Sequence, residues 1–229
     1  MTETRYLLCA THDWNRRLFE QRVATLPGSW HFVSSREELT PALIAQMNPR
    51  YAFFLHWSWL VPAEILSAVE AVCFHMTDLP YGRGGSPLQN LIQRGHKTTM
   101  LSALRMTASV DAGPIYLKQQ LDLSGRAQDI YERASRLAFN MIETIILTEP
   151  APREQQGEPT LFRRRTPSES TLPTDGDLET LFDHIRMLDA ADYPHAFIEH
   201  GKYRIEFTNA DLLADGLVAQ VRVTTGRSK

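Results

Sequence analysis

A histidine closes the apolar run Glu70–His75 (EAVCFH), and an aspartate, Asp111, lies further along in the loop Ala108-Ser109-Val110-Asp111-Ala112-Gly113. These two residue types are the ones best suited to chemistry in this chain. A histidine at a strand end can give or take a proton near neutral pH, and a carboxylate on a glycine-containing loop can orient it. In open parallel sheets, ligands bind beyond the carboxyl ends of the strands, which is where His75 falls. The polar loop that follows it, Met76-Thr77-Asp78-Leu79-Pro80-Tyr81-Gly82-Arg83-Gly84-Gly85-Ser86-Pro87, is unusually rich in turn formers. Other chemistries lack their signatures: there is no GxGxxG after the first strand, no GxxxxGK[ST] and no HExxH.

Positioning such a pair requires strands that end together. Tyr6–Ala10, Trp30–Val33, Tyr51–Leu55 and Glu70–His75 read as short apolar strands, separated by an amphipathic stretch to about Leu26, a helix over Ser35–Met47 and a short helix over Pro62–Ala68. Repeated β-α-β units with near-continuous apolar strands predict a mostly parallel, twisted sheet covered on both faces. Asp13 reads as the N-cap of the first helix. Ser86, Pro87 and Gln89 read as a capping box opening another helix, with Gly95 as its C′ residue. Strands over Thr98–Thr107 and Pro114–Gln120 flank the Asp111 loop. The longest helix, Arg126–Thr148, carries an apolar stripe through Ile130, Ala134, Leu137, Met141 and Ile145.

Composition limits the function. The 229 residues are 43% hydrophobic and 22% charged with a net charge of −3, ordinary for a globular protein and giving no general affinity for nucleic acid. No apolar run reaches the ~20 residues of a membrane span, and the N-terminal apolar stretch is too short for a signal peptide. Cys9 and Cys73 are the only cysteines, which excludes a disulfide scaffold or CxxC zinc site, predicts no metal, and favours a reducing cytoplasm. After Glu149 the composition turns Pro-, Gln- and Glu-rich. The expected domains are therefore 1–149, a linker over 150–166 and a small α+β subdomain over 167–229. Eleven acids face three bases between Glu169 and Asp215, so this appendage would repel a phosphate backbone. Arg163–Arg165 reads as a solvated edge.

The segment HMTDLPYGRGGSPLQNLIQRGHKTTMLSALRMTASVDAGPIY resembles the signature of the 10-formyltetrahydrofolate-dependent formyltransferases, with its LP…RG…P…DAGPI order. The likeness runs from the first strand to about Glu149 and continues more weakly through FRRRTP and IRMLDAADYPHAF. It implies a Rossmann-like α/β core with a small C-terminal appendage. By position, His75 resembles the family's catalytic histidine and Asp111 its catalytic aspartate. The resemblance further implies a folate pocket from His56, Trp57, Ser58 and Val61 together with Val110 and Asp111, and acceptor contacts from Asn15, Tyr81, Arg83 and Gly84. The chain departs from the family where Cys73 stands in place of the usual catalytic asparagine. A thiol is a poor oxyanion donor. Either Asn90 takes that role, or His75 and the Gly84–Gly85 N–H groups carry it, or catalysis is impaired.

Among family branches, the methionyl-tRNA enzymes carry a sizeable C-terminal domain that grips tRNA. The roughly 60 residues after FRRRTP are acidic, so no nucleic-acid partner is expected. The appendage resembles that of amino-sugar N-formyltransferases, and the loop wording is similar to members acting in pseudaminic-type (nonulosonic) sugar pathways. The implied activity is formyl transfer from 10-formyltetrahydrofolate to the amine of an aminodeoxy sugar in surface-glycan biosynthesis, by a cytoplasmic homodimer with no membrane partner. An N-hydroxyornithine-type siderophore enzyme and a non-catalytic folate- or sugar-binding relative are the alternatives.

Overall fold

The computed structural model describes residues 3–225. Its first elements are β1 (Arg5–Cys9), α1 (Asp13–Arg22), β2 (Ser29–Val33), α2 (Pro41–Met47), β3 (Tyr51–Phe54), α3 (Ala63–Ala68) and β4 (Glu70–His75). Then come β5 (Arg83–Gly84), α4 (Pro87–Gln93), β6 (Thr98–Arg105), β7 (Ile115–Asp122) and α5 (Ala127–Thr148). The last are β8 (Leu161–Phe162), α6 (Leu178–Arg186), β9 (Ala196–His200), β10 (Tyr203–Leu212) and β11 (Leu217–Thr225). Contacts divide the chain into two compact units. One gathers the chain up to Gly84, Met100–Leu121 and Glu132–Leu161; the other holds Gly85–Thr99, Asp122–Tyr131 and the chain from Phe162 on.

The first unit is built on a six-stranded sheet in the order β2-β1-β3-β4-β6-β7. β2, β1, β3 and β4 run parallel and β6 runs antiparallel to β4, so the mostly parallel Rossmann-like sheet expected from the strand pattern is present. The continuous apolar runs follow from burial on both faces. Leu7, Cys9, Ala52, Phe54 and Ala71 pack on one face with Ile44 of α2 and Ile65 of α3. The aromatic row Tyr6–Trp30–Phe53–Phe74 crosses neighbouring strands, its centroids 4.7 to 6.4 Å apart. Full burial of such a side chain, as at Phe53, contributes about 1.5–3 kcal/mol. No helix among the described residues is long and apolar enough to cross a membrane.

Three local expectations are corrected. The helix expected over Ser35–Met47 begins only at Pro41. Pro41 lacks an N–H and suits a first turn, Thr40 stays extended and accepts from Leu43 N at 3.1 Å, and Glu38 instead closes a turn on Ser34. Asp13 lies inside the first turn of α1, with His12 as the N-cap. The capping box at Ser86 does not form: Ser86 is left-handed at φ 49°, its Oγ accepts from Arg165 N at 3.1 Å, and Gln89 donates to Tyr131 and the Met187 carbonyl. The other end of α4 is as expected. Gly95 N donates to Ile92 O and His96 N to Leu91 O, the paired bonds of a Schellman turn.

The second unit contains the antiparallel sheet β11-β10-β9. Asp177 caps α6 by accepting from Thr180 N at 2.8 Å. Arg186, buried in this unit, pairs with Asp183 at 2.6 Å and donates to the carbonyls of Leu123 and Gly125.

Candidate active site

Along β4 the side chains alternate, so Ala71, Cys73 and His75 share a face, with His75 at the carboxyl end. His75 is 8% exposed. Its Nε2 donates to the Gly82 carbonyl at 2.8 Å, which places a proton on Nε2 and leaves Nδ1 as the working nitrogen. Nδ1 faces Asp111 Oδ2 at 3.6 Å, too far for a direct hydrogen bond. The same carboxylate oxygen accepts from the Gly84 N–H at 2.9 Å. Gly82 and Gly84 hold φ of 76° and 106°, conformations that glycine reaches without Cβ strain, and so the loop can turn a carbonyl to His75 and an N–H to Asp111. Asp111 is itself left-handed at φ 51°.

Cys73 lies two residues before His75. Burial, and secondarily the Asp111 charge, push its thiol pKa well up, so the family's asparagine position holds a neutral S–H. The expected substitutes are engaged elsewhere. The Gly84 N–H serves Asp111, and the Gly85 N–H donates to Phe162 O at 3.0 Å. Asn90 Nδ2 is within 3.0–3.2 Å of the Gly85, Ser86 and Arg163 carbonyls, and Oδ1 accepts from Arg94 at 2.9 Å. The Arg94 bond fixes which amide atom is the oxygen, and three acceptors already surround its two hydrogens.

Arg83 Nε and Nη2 donate to Gln155 Oε1 at 3.0 and 2.7 Å, and Gln155 Nε2 donates to the Asp111 and Gly113 carbonyls, each at 2.8 Å. Gln155 was not among the candidates, because its PAPREQQGEPT surroundings have only the composition of a linker. Tyr81, half-buried, stands on the intervening turn, where its N–H donates to Asp78 O.

The folate and acceptor candidates after β3 and β1 form a second cluster in the same unit. His56, left-handed at φ 49°, lies 3.0 Å through Nε2 from Ser135 Oγ, which donates to Asn15 Oδ1 at 2.7 Å. Asn15 is fully buried. His12 stacks on Trp14 at 4.1 Å, and both stand edge-on to His56. Trp57 packs against Phe54 and Trp59, and Val61 lies in the core. Ser58 is exposed, and Val110 is 55% exposed beside Asp111. The buried Trp57 Nε1 and Asn15 Nδ2 find no acceptor among the described residues. Buried donors without partners, next to apolar walls, fit a flat heteroaromatic ligand rich in acceptors.

This site accompanies clear likenesses to known proteins. Residues 167–224 match the family model described as the methionyl-tRNA formyltransferase C-terminal domain. The solved structure titled methionyl-tRNA formyltransferase from Clostridium thermocellum is 41% identical, covers 97% of this chain and 100% of that one, and superposes with a TM-score of 0.92. A methionyl-tRNA formyltransferase of Mesoplasma florum is 26% identical over 172 residues, 71% of this chain but 55% of that protein, so the chain spans about half the length of this curated relative. A sugar N-formyltransferase from Shewanella sp. shares the fold, with a TM-score of 0.69 at 13% identity over 93% of this chain and 99% of that one. On the near full-length, 41% identical match, the chain belongs to the methionyl-tRNA formyltransferase-like family of formyltransferases.

Proposed function

We propose that this chain is a 10-formyltetrahydrofolate-dependent N-formyltransferase whose acceptor is the amine of an aminodeoxy sugar, nucleotide-linked or an amino nonulosonic acid of the pseudaminic type. The observation that carries the formyl-transfer reading is the His75–Asp111 pair at the end of β4, with Nδ1 and the carboxylate 3.6 Å apart. 10-Formyltetrahydrofolate supplies the formyl carbon: a bond from the acceptor nitrogen to that carbon forms, the bond from carbon to N10 breaks, the amine gives up a proton and N10 takes one. Asp111 receives the amine proton. His75 acts as the imidazolium: with Nε2–H held by Gly82 it offers Nδ1–H to the developing oxyanion, gives that proton to the leaving nitrogen, and regains one from Asp111. His56, Trp57, Ser58, Val61 and Val110 would line the folate, and Asn15, Tyr81, Arg83 and Gly84 the acceptor side. Asn90, the other candidate for the oxyanion, has its amide hydrogens engaged by backbone carbonyls, which favours a role in positioning the turn into α4.

The sugar acceptor is supported by the charge of the appendage, eleven acids to three bases between Glu169 and Asp215, which disfavours a phosphate backbone. A second reading, formylation of methionyl-tRNA, is favoured by the names borne by the 41% identical structure and the Mesoplasma florum relative, and by the methionyl-tRNA formyltransferase C-terminal model matched over residues 167–224. Two copies would pair through β11, an edge strand with Val218, Val221 and Val223 exposed, in a cytoplasmic homodimer.

The test is tetrahydrofolate release from 10-formyltetrahydrofolate with nucleotide-linked amino sugars, free and nucleotide-linked amino nonulosonic acids, hydroxyornithine and methionyl-tRNA. Turnover with a sugar is expected. Turnover with methionyl-tRNA alone replaces the sugar by the second reading, and turnover with hydroxyornithine alone by a siderophore role. Folate binding with no turnover on any amine identifies a non-catalytic relative.

A further inference from the structure

Gln155 takes no part in the proposed bond changes, yet it is tied to both sides of the site. Its Nε2 bridges the carbonyls of Asp111 and Gly113, and its Oε1 receives two N–H groups of the Arg83 guanidinium. Every polar atom of the amide is in use. The backbone brings it there: Arg153 and Ile115 exchange N–H···O bonds at 2.9 and 2.7 Å, and two residues on from this antiparallel bridge Gln155 comes opposite Gly113. The loop has no slack on its other side, because a Cβ at Gly113 would meet Arg105 O at 1.9 Å. Asp111 sits left-handed at φ 51°, a conformation costing a non-glycine residue about 1–2 kcal/mol and kept only where the surroundings impose it.

We propose that Gln155 is a positioning residue: by clamping the carbonyls on either side of Ala112 it holds the Asp111 carboxylate toward His75, and Arg83 holds Gln155 in turn. A primary amide is the side chain that suits the place, with two donors for two carbonyls and an acceptor for a guanidinium. A carboxylate would keep the Arg83 contact and turn a second acceptor on both loop carbonyls. The Arg83 guanidinium is oriented by the neutral Gln155 amide, with no carboxylate among the described residues within ion-pair distance of it. An anionic group of the acceptor docking on that guanidinium would thus act on the same amide that holds Asp111. Only the kinetic part of this inference rests on the formyl-transfer reading.

Gln155→Glu and Gln155→Leu test it, with Gln155→Glu as the variant that keeps the Arg83 contact should Gln155→Leu fold poorly. Hydrogen exchange followed by mass spectrometry, without any substrate, should show the 107–113 peptide exchanging at least about threefold faster in both variants, while peptides from β1 and β3 stay as in the wild type. In the folate assay kcat should fall about tenfold or more with the KM for 10-formyltetrahydrofolate within about twofold, since a misplaced catalytic group lowers turnover without weakening donor binding. Wild-type exchange in the loop of Gln155→Glu overturns the proposal, and so does a lowered melting temperature with unchanged kcat. If no amine is turned over by the wild type, the exchange result still decides the clamp, and the failure belongs to the formyl-transfer reading.

Discussion

The two ends of β4 carry charged chemistry of opposite kinds. At its first residue, Glu70 accepts from Arg50 and Arg105 at 2.6 Å each and from the Tyr116 hydroxyl. Burial alone would raise the pKa of this carboxyl, but the hydrogen bonds from Tyr116, Arg50 and Arg105 hold it at about 2. At the last residue, His75 has one short bond, to Gly82, and a carboxylate standing 3.6 Å off. One strand thus ends in a saturated cluster at its base and an unsaturated pair at its top. A group whose partners are all in place can stabilise, but it has no valence left for a substrate. His75 Nδ1 keeps a valence that no short hydrogen bond fills, as the proposed chemistry requires.

The comparison is broken most sharply at the open end. His75→Ala and Asp111→Ala should each lower turnover about a hundredfold or more while leaving the melting temperature within a few degrees, as removal of a proton-transfer group does. Near-normal rates in either variant, measured by tetrahydrofolate release, would place the chemistry elsewhere. Asn90→Ala probes a saturated group in the other unit. Leaving the carbonyls of Gly85 and Arg163 without this donor, while Ser86 O keeps the Asn90 backbone N–H, should cost about 1–3 kcal/mol in denaturant unfolding, with kcat per folded molecule little changed. A large kcat loss at unaltered stability would make Asn90 the missing oxyanion donor after all.

Glu70→Gln sharpens the other end. Because the folded pKa lies below the usual carboxylate value, the contribution of Glu70 is present above about 4.5 and is lost as pH falls toward about 2. The variant should therefore lose stability at neutral pH, on the order of 1 kcal/mol after solvent screening, and show a shallower acid limb between those values. A wild-type acid limb in chemical unfolding would contradict the saturated-cluster reading. The smallest effect is expected from Cys73→Asn. It restores the family's amide beside His75 and should leave turnover at or above the wild-type rate; a steep loss would show that the neutral thiol is required.

Much of the first unit was legible along the chain. β1, β3 and β4 are buried on both faces and so consist of apolar runs; in the second unit, the Schellman turn at Gly95 depends on residues next to one another. His75 and Asp111 stand out because one closes an apolar strand and the other lies in a short polar loop between two strands. Gln155 gave no such signal, since its partners Arg83, Asp111 and Gly113 are far away in sequence and its neighbours are those of a linker. Ser86 misled for the related reason that a capping serine and one that accepts from Arg165 look the same in sequence. Cys73 could be seen to depart from the family pattern, but not that Asn90 and both glycine N–H groups were already committed.

By itself, the sequence determined most of the strands and helices, the α/β class, and the two residues proposed to move a proton. Those follow from hydrophobic periodicity and from steric rules acting over a few residues. Tertiary structure alone decided how the polar groups are divided: Glu70 saturated, His75 left with a gap, Asn90 spent on carbonyls and Gln155 set as a clamp. A hydrogen-bonding group takes its partner from whatever the fold brings within about 3 Å, and that distance is settled by packing rather than by position along the chain.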